Sequence, residues 1–244
     1  MKNFRNLAEN FLHILSFRSI FAPLNNFGKI VKGKNGKKEI HDLVVETAHL
    51  LFIEHGIKDV KMDDIAAKLS ISKRTIYELF NDKEQLLREV LNLQNKKMIE
   101  NGKEIIRSSS HILEIILKLY NLHFELLKKV NSKFFSELNK YPEICKEKQN
   151  KEKQNAKKFS AWMEMGRQQG LFREDADFDI LTFIIKRDLT TILEVKMQKG
   201  HTELNRYTPD ELGRKLILFY LRGISTTKGQ EIIEEYLKRN ETII

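Results

Sequence analysis

Lys73, Arg74 and Tyr77 are spaced so that one face of a helix would carry two cations and a phenol hydroxyl. Such a face suits a DNA major groove. Lys and Arg donate to guanine edges or phosphate oxygens, and a tyrosine hydroxyl reaches a phosphate. Ile76, Leu79 and Phe80 occupy the opposite face, which would then pack inward. Upstream, Leu69-Ser70-Ile71-Ser72 reads as the stop of one short helix, a turn, and a serine placed to cap the next helix through its hydroxyl. Two short helices joined by a tight turn are the helix-turn-helix geometry. Downstream, Asp82 and Gln85 have capping-box spacing. The helix that starts there offers free N–H groups, and Lys83 adds charge, so a phosphate can sit at its N-terminus. A lone turn between helices would read more blandly, as a small three-helix unit with solvated charges.

No other constellation carries chemistry as well. The chain has no Gly-rich phosphate loop, no Gly-x-Ser-x-Gly elbow and no His-Glu-x-x-His motif. Glu46-Thr47-Ala48-His49 has the Glu-x-x-His spacing of a di-iron site, but such a site needs a second copy and two more glutamates on facing helices. A surface pair is the expectation. His41, His55, His111 and His201 are isolated. Cys145, among Lys and Glu, is expected to be exposed, and a redox role would need a thiol from a partner subunit. No catalytic residue, cofactor or metal site is predicted.

These residues need helices to position them. The 244-residue chain has only 3 Pro and 11 Gly, which permits long helices, and a single Cys, which excludes an internal disulfide framework. That cysteine usage makes the cytoplasm the default compartment. The formal charge of +9 favours an anionic partner without deciding one. From Lys38 onward the apolar residues recur at helical spacing. Ile40, Val44, Ala48, Leu51 and Phe52 form the first stripe, ended by Gly56. Short helices follow around Ile65–Leu69 and Ile76–Phe80, and a long one runs from Asp82 to about Gly102. Further helices are predicted over 111–130 (with Ser108–Ser110 as the start), 142–170, 177–199 closed by Gly200, 209–222 closed by Gly223, and 230–239. The Lys-rich stretch 140–158 reads as a solvated helix face. No strand pattern and no internal repeat stands out.

Residues 1–36 are set apart by eight bases before Glu39 (counted through Lys38) against one acid. Their apolar part is broken by His13, Ser16, Arg18 and Ser19 and lacks a small-residue cleavage site, so a signal peptide is not read there. A flexible or loosely packed arm is the favoured reading. A basic amphipathic helix on a membrane or partner, and an arm on DNA, are the alternatives.

The run Ile65-Ala66-x-x-Leu69-x-Ile71-Ser72-x-x-Thr75-Ile76-Tyr77-x-x-Phe80-x-x-Lys83-Glu84-x-Leu86, with Ala48-x-x-x-Phe52-x-x-x-Gly56 before it, resembles the DNA-binding domain of the TetR/AcrR family of bacterial transcriptional regulators. By that resemblance Ser72, Lys73, Arg74, Thr75 and Tyr77 fall in the recognition helix, and Lys83 falls at a phosphate-contacting position. Three positions depart from the family pattern. Lys61 stands where a Thr or Ser often caps the second helix, so Asp63 and Asp64 must complement that end. Ser70 replaces a common Gly in the turn. Arg74 replaces a common Gly in the recognition helix, which stiffens it and adds a long cation.

The resemblance implies an all-α fold with a helix-turn-helix domain 37–88 and a helical regulatory and dimerisation domain 89–244; the N-terminal extension 1–36 lies outside it. Gly166-x-x-x-Gly170-Leu171-Phe172-Arg173-x-Asp175 resembles the family's junction before its last two long helices. Those helices, 177–199 and 209–222, would form a four-helix bundle with a second subunit. The faces expected there are Leu181, Ile185, Leu189 and Ile192 on one and Leu212, Leu216, Phe219 and Tyr220 on the other. Closing the protomer's own core is the alternative role for both stripes. Of the aromatic residues at helical spacing, His123, Phe124 and Trp162 are named as candidate effector contacts, implying an apolar or aromatic small molecule. The function implied is a homodimeric repressor released from a palindromic operator by its effector, with an activator or ligand-independent regulator as variants. A membrane- or protein-docking module with a vestigial DNA-binding fold is the reading from another class.

Overall fold

The structure is a computed structural model. It describes residues 36–197 and 203–239, without the side chains of residues 148, 149, 151–161, 186, 189 and 190. The N-terminal segment, the predicted stop at Gly200 and most of the Lys-rich face therefore lie outside the described residues, apart from Gly36.

Ten helices occur among the described residues, with no strand. They are α1 (Gly36–His55), α2 (Met62–Leu69), α3 (Lys73–Leu79), α4 (Lys83–Arg107), α5 (Ile112–Lys128), α6 (Ser132–Leu138), α7 (Pro142–Gln168), α8 (Phe178–Lys196), α9 (Pro209–Ile224) and α10 (Thr227–Arg239). None is long and apolar enough to cross a membrane.

Helices α1 to α3 and the start of α4 close around Phe52, Ile65, Ile76, Phe80 and Leu86, all fully buried. These are the inward residues of the predicted stripes. Helix α1 stops at Gly56, whose N–H donates to the Phe52 carbonyl at 3.0 Å and whose φ is +91°. A Cβ there would also lie 2.9 Å from the Glu137 carboxylate, so both the turn and the close approach require glycine. Helix α2 begins without a side-chain cap from Lys61; the Asp64 carboxylate instead accepts the Lys61 N–H at 2.7 Å. Its other end leaves through Ser70 in the left-handed region, φ 53°, with the Ser70 N–H on the Ala67 carbonyl and the Ile71 N–H on the Ala66 carbonyl.

The remaining helices surround α5, which packs against α4, α7, α9 and α10. The start of α5 differs from expectation. His111 caps it, its Nδ1 accepting from the Glu114 N–H, while Ser108 and Ser109 turn their hydroxyls back onto the Ile105 carbonyl and end α4. Helix α9 runs through Gly223 instead of stopping there, and ends where Ser225 becomes extended and pairs with Phe172. Helix α10 starts earlier than predicted, because the Thr226 hydroxyl accepts the Gly229 N–H.

The stripes predicted on α8 and α9 also need correction. Leu181, Ile192 and Leu212 are buried within the protomer, and Ile185, Leu216 and Tyr220 are half-buried. The large apolar side chains left in solvent are Ile180, Phe183 and Phe219, at 57%, 70% and 73% exposure. Helix α8 carries apolar residues on both sides, and the inward side was the more regular stripe.

Ser70 holds a conformation that costs an L-residue about 1–2 kcal/mol and glycine little. Part of that gain is offset by the freer unfolded chain. Ser70→Gly should therefore raise stability by about 0.5–1 kcal/mol, read as a higher urea midpoint at unchanged m-value.

Candidate nucleic-acid interface

The recognition face begins with a cap. Ser72 Oγ accepts the Thr75 N–H at 3.1 Å and shares a hydrogen bond with the Thr75 hydroxyl at 2.8 Å. The seven-residue α3 then presents Lys73, Arg74 and Tyr77 outward, while Ile76 is fully buried. Arg74 has 87% of its side chain in solvent, and Tyr77 is 46% exposed. Both cations hold acids of their own subunit: Lys73 Nζ lies 2.7 Å from Asp63 and Arg74 Nε lies 2.7 Å from Glu78. The bond to Asp63 holds the Lys73 ammonium above its usual pKa. Exposed ion pairs contribute little, so both cations can be exchanged onto DNA.

Helix α4 is capped as the spacing predicted, with one change. Asp82 Oδ1 accepts the Gln85 N–H at 2.7 Å, but the Gln85 amide oxygen reaches the N–H of Asn81, not that of Asp82. Lys83 does not extend into solvent. Its ammonium donates to the Lys58 carbonyl at 3.2 Å and lies 5.9 Å from the centre of the Phe52 ring, and burial pushes its pKa below the ordinary lysine value. The structure thus brings Ser72, Lys73, Arg74, Thr75 and Tyr77 together on one element and turns the Lys83 head group toward the α1–α2 turn.

That turn is also gripped from the other domain, by a group of residues sequence reasoning missed. Asn131 donates its backbone N–H to the Ile53 carbonyl and its side-chain amide to the Glu54 carbonyl, both at 2.9 Å, and so caps the end of α1. Its side-chain oxygen caps α6, accepting from the Lys133 N–H at 3.0 Å. Glu137 accepts the Lys58 N–H at 2.7 Å, and Lys133 pairs with Asp59 at 2.8 Å. On the far side, Arg88 of α4 pairs with both Glu84 and Glu147. An Asn three residues before the aromatic pair Phe134-Phe135 was the available signal, and it marks only a short capped helix.

A cleft of about 1050 Å³ opens between α5, α8, α9 and α10. Tyr120 and Tyr220 line it, and their pKa values are raised, first by burial and then by the nearby Asp188 carboxylate, to which Tyr220 donates. The residues named for effector contact sit elsewhere. His123, Phe124 and Trp162 are buried in the core, and none lines this cleft. Phe124 packs against Gly213, where a Cβ would lie 2.0 Å from its ring. Aromatic type pointed to the core and not to the cavity.

Two further expectations change. His49 is buried on the inward side of α1 with Val45 and Phe52, and Glu46 pairs instead with Lys97 at 3.3 Å. Cys145 is half-buried, its thiol 3.5 Å from the Leu138 carbonyl. No metal-binding cluster occurs among the described residues.

A capped recognition helix with a cationic outer face, carried on a larger helical body, defines a helix-turn-helix DNA-binding protein. Residues 44–90 match the sequence profile described as bacterial regulatory proteins, tetR family. The transcriptional repressor KstR2 of Mycolicibacterium smegmatis is 26% identical over 199 residues, which span 78% of this chain and 93% of that one. Two solved structures share the fold. The ketosteroid transcriptional regulator KstR2 of Mycobacterium tuberculosis aligns with a TM-score of 0.51 at 20% identity, over 81% of this chain and 100% of that one. A regulator from Saccharomonospora viridis, solved in complex with choline, aligns at 0.61 and 22% identity, over 78% of this chain and 99% of that one. Over residues 44–90 the chain is similar to the DNA-binding domain of TetR-family regulators, and along most of its length to transcriptional repressors.

Removing the Asn131 side chain strands the Glu54 carbonyl and uncaps α6 together. Asn131→Ala should cost about 1–2 kcal/mol in urea unfolding.

Proposed function

We propose that this chain is a cytoplasmic homodimeric repressor, released from a palindromic operator by a small molecule. The observation that carries the DNA contact is the outer face of α3, where Lys73, Arg74 and Tyr77 stand exposed behind the Ser72 cap. Ser72 and Thr75 sit at the helix start, where N–H groups and hydroxyls approach phosphate. Lys83 contributes as the first residue of α4, and its ammonium reaches phosphate only by leaving the Lys58 carbonyl.

One recognition helix spans too few base pairs to select a site. A pair set about 34–36 Å apart reads two half-sites on one side of B-DNA. The exposed Ile180, Phe183 and Phe219 support pairing through α8 and α9, within the segments 177–199 and 209–222. They stand on two helices that pack against each other, and three large apolar side chains left in water there suit a face covered by a second subunit. Repression is supported by the KstR2 relatives. An effector that favours the dimer with the wrong spacing shifts the population off DNA. One solved neighbour is described as a ketosteroid regulator and another holds choline. Ligands that different leave the effector to be inferred from this chain's own cleft.

Gel-shift titration against the DNA upstream of its own gene, at two salt concentrations with unrelated competitor, tests the reading. Specific complexes should survive competitor. Arg74→Ala should cost about 1–3 kcal/mol of specific binding if Arg74 reads a base; an equal loss on all DNA would reduce it to a phosphate contact. Phe219→Glu should convert the dimer to a monomer in sedimentation analysis and abolish the specific shift; a persistent dimer places the interface elsewhere.

A further inference from the structure

The cleft between α5, α8, α9 and α10 has an aliphatic wall, with Leu117, Leu181, Ile184, Leu218 and Leu237 among its residues. Five ionisable chains of fixed sign also line it: Asp177, Glu211, Arg214, Lys215 and Arg222. Their formal balance is nearly neutral, but their commitments are not. Asp177 is spent on the N-terminus of α8, accepting the N–H groups of Asp179 and Ile180 at 3.0 Å. Glu211 is spent on the N-terminus of α9, accepting the N–H and the hydroxyl of Thr208 at 2.8 Å. Arg222 is paired with Glu234 at 2.7 Å.

Two cations remain under-used. Arg214 holds Glu125 through Nη2 at 2.7 Å, and Glu125 also serves Lys128 at 3.1 Å. The Nε of Arg214 is buried with no acceptor among the described residues. A buried donor without an acceptor loses hydration and gets nothing in return. Lys215 has no carboxylate within ion-pair distance among the described residues, only the Tyr207 ring 6.0 Å away. Asn121 and Tyr236, bonded to each other at 3.0 Å, add neutral polar groups from α5 and α10.

We propose that the cleft takes an amphipathic carboxylate, an aliphatic chain lying along the Leu and Ile wall with its head group on Arg214, supported by Lys215. This rests on the effector reading above and names the chemical class for it. The volume of about 1050 Å³ lies at the upper end of small-molecule pockets, about 300–1,000 Å³. A guanidinium with an N–H left without an acceptor suits a carboxylate, whereas an alcohol gains no ion pair and an ammonium finds the acids already committed.

Titration calorimetry of the full chain with dodecanoate, dodecan-1-ol and dodecyltrimethylammonium, each below its aggregation concentration, tests this. Dodecanoate should bind at least tenfold more tightly than the other two. Arg214→Gln should erase that advantage and leave the alcohol's affinity unchanged. Equal affinities, a preference for the ammonium, or no binding of dodecanoate would overturn the proposal. So would an Arg214→Gln loss shared equally by carboxylate and alcohol. The head-group series on the unmodified chain decides the matter even if the variant does not fold. The regulator reading is judged separately, by the operator shift without ligand.

Discussion

Helix α3 is seven residues long, and a helix of that length does not persist alone in water, where about 12–15 residues are needed even for marginal stability. It exists because Ile76 and Phe80 are fully buried against Phe52, Ile65 and Leu86. Burying one such side chain contributes about 1.5–3 kcal/mol, so the two together offset the roughly 4 kcal/mol of a nucleation constant near 10⁻³. His41 of α1 stacks on Phe80 with ring centres 4.8 Å apart, which ties the end of α3 to the first helix. The direction of Lys73, Arg74 and Tyr77 is thus a consequence of a small apolar contact on the opposite side of one short helix. Every function assigned to that outer face depends on it.

The α1–α2 turn is where the DNA-binding unit meets the rest of the molecule. Lys83 holds it from α4, and Asn131, Lys133 and Glu137 hold it from α6. Helix α5 lines the cleft through Leu117, Tyr120 and Asn121 and leads directly into Asn131. A displacement of α5 at the cleft would have a continuous route, through one helix and one capping side chain, to the last carbonyls of α1. Coupling of the proposed kind needs a chain of packed or hydrogen-bonded groups, and these contacts supply a candidate for it.

How much of this was legible in the sequence follows from how local each signal is. The caps at Ser72 and Asp82 and the burial of Ile76 and Phe80 were readable, because residues within one or two turns decide them. The resemblance of residues 44–90 to the tetR family was readable for the same reason. The grip of Asn131 on Glu54 was not, since it joins residues far apart in the chain and leaves only an ordinary cap as its mark. Cap identity failed at His111, where a residue seldom thought of as a cap displaced three serines. The faces of α8 were misassigned because apolar side chains lie on both sides, and spacing alone does not say which side meets the core. The candidate effector contacts His123, Phe124 and Trp162 lie in the core and not in the cleft, because aromatic residues at helical spacing fill interiors more often than they line openings.

The acids beside the recognition cations have a consequence for how this chain would respond to ionic strength. Asp63 and Glu78 already serve Lys73 and Arg74 as built-in counter-ions. In the proposed complex, where those cations move onto phosphate, DNA would release condensed cations to the solvent and the two freed carboxylates would draw cations back. The exchange is partly internal, so affinity would decline with added salt less steeply than a count of phosphate contacts implies. A protein wired this way would keep its hold on an operator across a wider range of ionic conditions than its net charge suggests.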